Sequence, residues 1–566
     1  MRKGIVLSKK YARWGWFFVS PAAALIFILS FYPMVYAFIL SLQSGLGNNL
    51  RFTGLKNYIR LFQDPIFPQA VINVFIYLVI QVPIMLFLAL ILTSVLNNRD
   101  LKFKGLFRTI VFLPCATALV SSALIFKSFF SLDGIINFFL VKTHIVESPV
   151  GFLTNAFWAR FIIILVITWR WTGYNTIFYL AGLQNIDTSV YEAARIDGAS
   201  SVQQFFHIIL PLLRPVILLT TIMSTNGTLQ LFDEVRSITI TGGPGTATLT
   251  ISLYIYDILF RNVTQFGYAA AVSYSILIMV AILSLIQLKA GGQGIMRKGK
   301  YVSRTVMYVF LVVICVFSAF PFVWMLSAAT NRSIDIIRGK LFPGTWIVEN
   351  FKTLIKTVDL GRTFWNSVRN SIAGTLGSIF ICSMAGYGFQ IYRDRAKDRL
   401  MSVLLLSMMV PFASVMVPLY RMFSIAKLLD TTAGFILPSL STAFLIFFFR
   451  QSSMSFPNEI VQAARVDGLG EFGIYARIYF PVMAPTFAAA AIVSFMANWN
   501  NYLWPLIIMQ KQESRTMPMM LAGLTAGYVT DNGILMLAVT ICTLPTVILF
   551  FTQQKRFVAG ILGSVK

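Results

Sequence analysis

Charge is what this sequence has least of. Only 12% of its 566 residues are Asp, Glu, Lys or Arg, against 57% that are hydrophobic, whereas a soluble globular domain carries roughly a quarter charged positions. That balance excludes an ordinary soluble fold. Histidine is nearly missing, with His144 and His207 alone, too few and too far apart for a metal cluster or a nucleophile–base pair. The four cysteines, Cys115, Cys315, Cys382 and Cys542, stand singly in apolar runs without CxxC spacing. Neither a disulfide framework nor a zinc site is implied, and packing is their role. Asp233 and Glu234 lie near the outer end of one apolar run, and no other run holds an acid at its middle. The lack of a titratable relay argues against an ion-coupled carrier, and the lack of paired carboxylates and metal ligands against a membrane-embedded enzyme.

Long apolar runs are what is there. A hydrocarbon core ~30 Å thick takes about 20 apolar residues per helix. On that measure, spans are predicted at 14–42, 70–96, 107–130, 157–183, 215–233 and 266–288, then at 303–328, 366–391, 399–423, 432–451, 484–508 and 530–554. The fold class is therefore an all-α polytopic membrane protein of about 12 transmembrane helices. The formal charge of +25 is explained by where the cations sit rather than by a nucleic-acid partner. Arg2, Lys3, Lys9, Lys10 and Arg13, then Arg99, Lys102, Lys104 and Arg108, then Lys289, Arg297, Lys298 and Lys300, then Arg393 to Arg399, and finally Lys555 and Arg556 all fall on one side. The positive-inside rule places that side, with both termini, in the cytoplasm. The run from Trp14 to Leu42 is too long for a signal-peptide core and reads as a retained helix.

Dividing the chain into 1–295 and 296–566 gives two parallel halves of six spans, each with one polar segment between its fourth and fifth helices. The first copy, YEAARIDGASSVQQFFHIILPLLRP from Tyr191, returns as VQAARVDGLGEFGIYARIYFPVMAP from Val461. At the seam, MRKG from Met296 repeats the first four residues of the chain, as though two subunits had been joined. Gly294 to Tyr301 reads G-x-x-x-x-G-K-Y. A phosphate-binding loop needs Ser or Thr after the Lys and a strand before it, so nucleotide is expected on another chain.

Within the first copy, Ser189 and Glu192 form S-x-x-E, a capping box. Ala193 and Ala194 permit close approach, and Gly198 permits a turn that a Cβ would hinder. Phe205, Ile208, Ile209 and Leu212 then recur as an amphipathic stripe. The second copy has Tyr475, Ile478, Tyr479 and Val482 in the same places, with Gln462 where the first has Glu192.

These segments resemble the EAA loops of bacterial ABC-importer permeases. Glu192, Ala193, Ala194, Gly198, Ile208, Leu210 and Pro211 match that pattern. The second copy keeps Ala463, Ala464, Gly468, Ile478 and Pro481 but departs at Gln462 and Phe480. Residues 1–295 look like the first permease of the carbohydrate (maltose-type) family in GLKNYIRLFQDP, GLFRTIVFLP, WRWTGYNTIFYLAGLQ and TGGPG. Residues 296–566 look like the second in FPFVWML, WNNYLWPL and the C-terminal tail.

The resemblance implies a path for a sugar or oligosaccharide, delivered by an extracytoplasmic solute-binding protein and driven by two ATPase subunits. Those subunits grip loops 184–215 and 454–485 and themselves bind ATP and Mg. It also implies residence in the bacterial plasma membrane. No cofactor and no metal are expected in this chain, which is a transport subunit and not an enzyme. Coupling to the ATPase would fall to Glu192, Ala193, Ala194, Asp197 and Gly198, and to Gln462, Ala463, Ala464, Asp467 and Gly468. The sugar path would run past Trp169, Arg170, Trp171, Thr172, Gly173, Tyr174 and Thr176 on the fourth span, where Gly173 would leave room for the sugar, and Thr228, Leu229 and Phe232 on the fifth. Asn498 and Asn501 would form part of its wall.

Arg170 leaves two readings open. An Arg in lipid costs at least ~2.5 kcal/mol, so it either pairs with a carboxylate or carbonyl of a neighbouring helix or contacts an anionic substrate such as a sugar acid. A permease for a non-sugar solute is the remaining alternative, opposed by the length of the matching motifs.

Overall fold

The structure is a computed structural model that describes residues 9–47, 49–98, 101–184, 188–199, 201–290, 304–525 and 531–561. In the first half, α1 (Tyr11–Ser41) and α2 (Ile66–Asn97) are long single helices. The third span is two helices, α3 (Lys104–Ala116) and α4 (Leu119–Phe129), bent by 96°. The long α5 (Ala156–Gln184) precedes the repeated segment, which folds as α6 (Thr188–Ile196) and α7 (Phe205–Leu212). Beyond it come α8 (Arg214–Leu229), the short α9 (Asp233–Thr239) and α10 (Phe266–Ala290).

The second half repeats this order. It runs α11 (Arg304–Ala329), α12 (Leu360–Ile391), the 96° bent pair α13 (Arg395–Met409) and α14 (Phe412–Ile425), and the 52° bent pair α15 (Thr432–Ser439) and α16 (Ala443–Ser455). The second copy follows as α17 (Asn458–Val466) and α18 (Glu471–Val482), and the half closes with α19 (Ala484–Trp499), α20 (Leu503–Ile508) and α21 (Asn532–Ile561). Among the described residues, seven helices are long and apolar enough to cross a membrane, and twelve spans result if each bent pair counts as one.

Five predicted spans need correction. Those at 107–130, 399–423 and 432–451 are broken, the fifth stops at Leu229, and the eleventh stops at Trp499 before restarting at Leu503. The breaks follow backbone chemistry. Pro411 has no amide to donate and biases the residue before it towards extended backbone, and Val410 is extended at φ −76, ψ 112. In the first half Pro114 sits in the last turn of α3, and Thr117 and Ala118 are extended.

The first span of each half packs on the other half. Phe18, Val19, Ala22 and Ile26 of α1 share a core with Tyr387 and Phe389 of α12 and Ile446 and Phe449 of α16, and the Ser441 hydroxyl donates to the Ala22 carbonyl at 3.0 Å. Glycine permits this approach, because a Cβ on Gly15 would stand 2.6 Å from the Tyr392 Cβ and one on Gly388 would stand 2.8 Å from the Phe18 Cβ. Reciprocally, Leu311 and Cys315 of α11 join Leu92, Val111 and Phe112 of the first half. The seam is thus a crossing of helices and not a plane between two separate bundles.

Candidate functional site: the broken spans and the repeated loops

Breaking a helix inside a membrane frees backbone groups that lipid cannot satisfy, so side chains must do it. At the first break, the buried Arg170 donates from Nη2 to the Thr117 carbonyl at 2.6 Å. Its guanidinium lies 5.0 Å from the Trp171 ring and within electrostatic reach of Glu234 and Asp233, which the packing of α9 against α4 and α5 brings close. Of the two readings of Arg170, the structure supplies a carbonyl partner and nearby acids. At the second break the partners come from the other half. The Phe412 amide donates to Gln230 Oε1 at 2.5 Å, Asn226 Nδ2 donates to the Met408 carbonyl at 3.2 Å, and Gln230 Nε2 donates to Asn226 Oδ1 at 2.6 Å.

The predicted sugar-path residues separate into two groups around these breaks. Trp169 is turned to the seam, where its indole donates to the Phe317 carbonyl at 3.2 Å and its ring packs 5.2 Å from Phe126 and 5.8 Å from Phe322. The room expected beside Gly173 is already filled, because a Cβ there would lie 2.3 Å from the Val111 carbonyl oxygen. This glycine lets α5 and α3 touch, and a side chain would part the helices before it met a solute. Leu229 is core. Thr172 and Thr176 return their hydroxyls to their own helix, at 2.6 Å to Thr168 and 2.8 Å to Thr172.

Of the other residues, Trp171, Tyr174 and Asn501 are half-buried, whereas Thr228, Phe232 and Asn498 are buried. Trp171 and Tyr174 are half-buried with rings 5.3 Å apart. Thr228 donates to Ser224 at 2.9 Å and to Gln81 Oε1 at 3.3 Å. Phe232 meets Tyr502 of the second half at 6.3 Å. Asn498 donates to the Ser494 carbonyl at 2.9 Å while its buried Oδ1 has no partner, and Asn501 is half-buried beside it. A cleft of about 530 Å³ opens elsewhere, at the end of the bundle opposite the repeated loops, among Lys56, Asn57, Arg60, Gln265 and Tyr268. None of the predicted path residues lines it.

Both loops turn at glycine for a conformational reason. Gly198 has φ +73 and Gly468 φ +81, with nothing near enough to crowd a Cβ, so it is the left-handed backbone that favours glycine. Asp197, Gly198, Ala193, Gln462, Ala463, Asp467 and Gly468 are exposed, while Ala194 and Ala464 are wholly or partly covered. Glu192 lies on α6, and its side chain lies outside the described residues.

The capping-box expectation needs revision. Ser189 is already helical in α6, whose residues are described from Thr188, and α17 starts at Asn458, which makes Gln462 its fifth residue rather than a capping position. The amphipathic stripe is also altered. Phe205–Ile209 and Tyr475–Tyr479 are π-helical turns just ahead of Leu210–Pro211 and Phe480–Pro481, which relieve the donor that proline lacks. The added residue per turn rotates Leu212 and Val482 out to the surface while Ile209, Tyr475 and Tyr479 stay buried.

The sequence model for "binding-protein-dependent transport system inner membrane component" matches residues 97–289 and again 377–562, more than half of the chain. This chain belongs to that family. It carries two permease domains of the family, one in each half. Among its relatives, the lactose transport system permease protein LacF of Rhizobium radiobacter is 54% identical over 285 residues, covering 50% of this chain and 96% of LacF. LacG of the same organism, also named a lactose transport system permease protein, is 45% identical over 249 residues, covering 44% of this chain and 91% of LacG. The arabinooligosaccharides transport system permease protein AraP of Halalkalibacterium halodurans is 34% identical over 274 residues, 48% of this chain and 86% of AraP.

Asn226, Gln230 and Gln81 escaped the sequence reading although each is a polar side chain in an apolar run, which is itself a signal of an internal partner. Glu471 and Arg465 escaped it as well. The signal there was the single position in the second copy where a carboxylate replaces the Ser201 of the first.

Proposed function

We propose that this chain is the whole translocation pathway of an ATP-driven importer that moves a sugar or oligosaccharide into a bacterial cytoplasm by alternating access. The observation that carries this reading is the pair of repeated loops, one per permease domain, each presenting an exposed small-residue helix and a glycine turn. Two such grips suit two ATPase subunits, which bind the ATP and Mg, since the Gly294–Tyr301 segment, which lies outside the described residues, lacks the Ser or Thr of a phosphate-binding loop. The cation clusters put those loops and both termini in the cytoplasm of a plasma-membrane protein. A solute-binding protein then delivers the sugar to the opposite face, in keeping with the family's description. The sugar class is supported by the lactose and arabinooligosaccharide systems named for the relatives.

Along the path, the ring faces of Trp171, Tyr174 and Phe232 stack on sugar C–H surfaces, and Thr228, Asn498 and Asn501 offer hydroxyl and amide partners. Coupling runs through Glu192, Ala193, Ala194, Asp197 and Gly198 in one loop and Gln462, Ala463, Ala464, Asp467 and Gly468 in the other. Arg170 gives one N–H to the Thr117 carbonyl while its buried Nε has no partner among the described residues, and a neutral sugar is favoured by the lactose and arabinooligosaccharide systems named for the relatives.

Uptake of labelled lactose and of an arabinooligosaccharide by cells expressing the chain with and without its ATPase subunits tests the proposal. Uptake of one of them only when the ATPase is present is the expected result. Equal uptake without it, or ATP hydrolysis by the purified chain alone, would overturn it.

A further inference from the structure

The two repeated loops differ in sequence at the point where the second is anchored. In the second, Arg465 of α17 donates to both oxygens of Glu471 at the start of α18, at 2.8 and 3.0 Å. Glu471 is buried and also accepts from the hydroxyl of Tyr392, just past the end of α12. The same guanidinium lies 4.3 Å from the Tyr11 ring on α1, the helix lent by the other half. Further along α1, the Trp16 ring lies 5.3 Å from the ammonium of the fully buried Lys397 of α13, which pairs with Asp394. Phe18 then stacks on Tyr392 with ring centres 5.8 Å apart and planes 14° apart. A carboxylate that satisfies a two-pronged guanidinium and a phenol at once fixes three chain segments relative to one another.

In the first loop Arg195 matches Arg465, but the carboxylate it would need at the matching place is missing from the sequence. Ser201 stands where Glu471 does, and Phe205 and Ile209 stand where Tyr475 and Tyr479 do. The buried cluster around Ile209 draws on α2, α5 and Leu213, all from its own half.

We infer that Glu471 is a positioning residue for energy coupling: it locks the second loop to the cytoplasmic end of α12 and, through Arg465 and Tyr11, to α1 of the first half. A push on this loop therefore moves both halves, whereas a push on the first loop moves its own. This rests on the reading of the loops as ATPase contacts. It assigns to Glu471 and Arg465 the conversion of that contact into movement and leaves the contact itself to the exposed residues of the loop.

The test is the number of ATP molecules hydrolysed per sugar taken up, measured in vesicles holding the full chain with ATPase subunits and a solute-binding protein that support uptake by the wild type. Glu471→Gln and Arg465→Gln should each raise that ratio at least about fivefold, the low end of coupling between linked sites, with the ATPase still co-purifying. The charge swap Arg465→Glu with Glu471→Arg should bring the ratio back towards wild type. An unchanged ratio in both single variants, or a swap no better than the singles, would overturn the inference. Should Glu471→Gln fail to reach the membrane, Tyr392→Phe removes one hydroxyl only. It should raise the ratio in the same direction by less, and an unchanged ratio there would also overturn it. A wild-type chain that imports sugar without ATPase defeats the proposed function itself, an outcome separate from any effect of the variants.

Discussion

The third and ninth spans are bent by the same 96°, yet the freed backbone at the two bends is satisfied from different places. Arg170 closes the first bend from within its own half. Gln230 and Asn226 reach across the seam to close the second. If the halves move apart, the first bend keeps its partner and the second loses both. A local repair makes α3 and α4 a fixed angle, whereas a repair from across the seam makes the angle between α13 and α14 depend on how the halves stand. Similar sequences folded to similar shapes can thus divide labour, one half as the stiffer body and the other as the part that responds.

The largest effect should come from breaking the local repair. Arg170→Met strips the Thr117 carbonyl of its donor and leaves Glu234 and Asp233 facing no cation. Losing a charged donor to a buried carbonyl costs more than the about 1–3 kcal/mol of a neutral one, so membrane yield and the thermal midpoint of the purified chain should both fall sharply. An Arg170 that served an anionic solute instead would leave folding normal and weaken affinity alone. Yield, melting and uptake measured on one preparation separate the two.

A smaller loss is expected from the repair across the seam. Gln230→Leu leaves the Phe412 amide without an acceptor, and an unsatisfied buried amide costs about 1–3 kcal/mol. Because that cost falls on the second bend, amide exchange over residues 408–412 should quicken while residues 115–119 keep their protection. Equal protection of both bends would show that the crossing hydrogen bonds do not hold the angle.

How much of this was legible depended on how local each cause was. Spans such as 70–96 could be read because lipid demands an apolar run of that length, and the glycine turns because Gly198 and Gly468 occupy a conformation with few other occupants. The family resemblance rested on short motifs in a fixed order, and the two matches of the family model bear it out. The bends were not legible, since Pro114 and Pro411 sit in runs that look continuous and a proline in a membrane helix is often tolerated. Whether it breaks the helix depends on whether Arg170 or Gln230 is there to take the freed groups. The lending of α1 and α11 between halves was hidden for another reason. Neighbours in sequence usually pack together, and only the close approach at Gly15 and Gly388 gives the crossing away. Gly173 misled because the absence of a side chain reads the same whether a solute or another backbone fills the space.

The smallest effect should be at Gln462, and its smallness is what sharpens the comparison of the two loops. The side chain is exposed, and because α17 begins at Asn458 it caps nothing. Gln462→Ala substitutes one good helix former for another, a change of a few tenths of a kcal/mol, so ATPase retention and uptake should match the wild type. Glu192→Gln in the other loop removes the only charge by which the two helices differ at this position. If that carboxylate holds a basic group of an ATPase subunit, retention of the ATPase should fall about tenfold, equivalent to about 1.4 kcal/mol. The first loop would then grip by charge and the second by its other exposed residues, with Glu471 only bracing it, a division in which neither loop can stand in for the other. Exchanging the two residues, Glu192→Gln together with Gln462→Glu, should not restore retention if the division holds, because the regained charge would sit on the braced loop. Restoration by the exchange would mean that the loops are interchangeable and that only the number of charges matters.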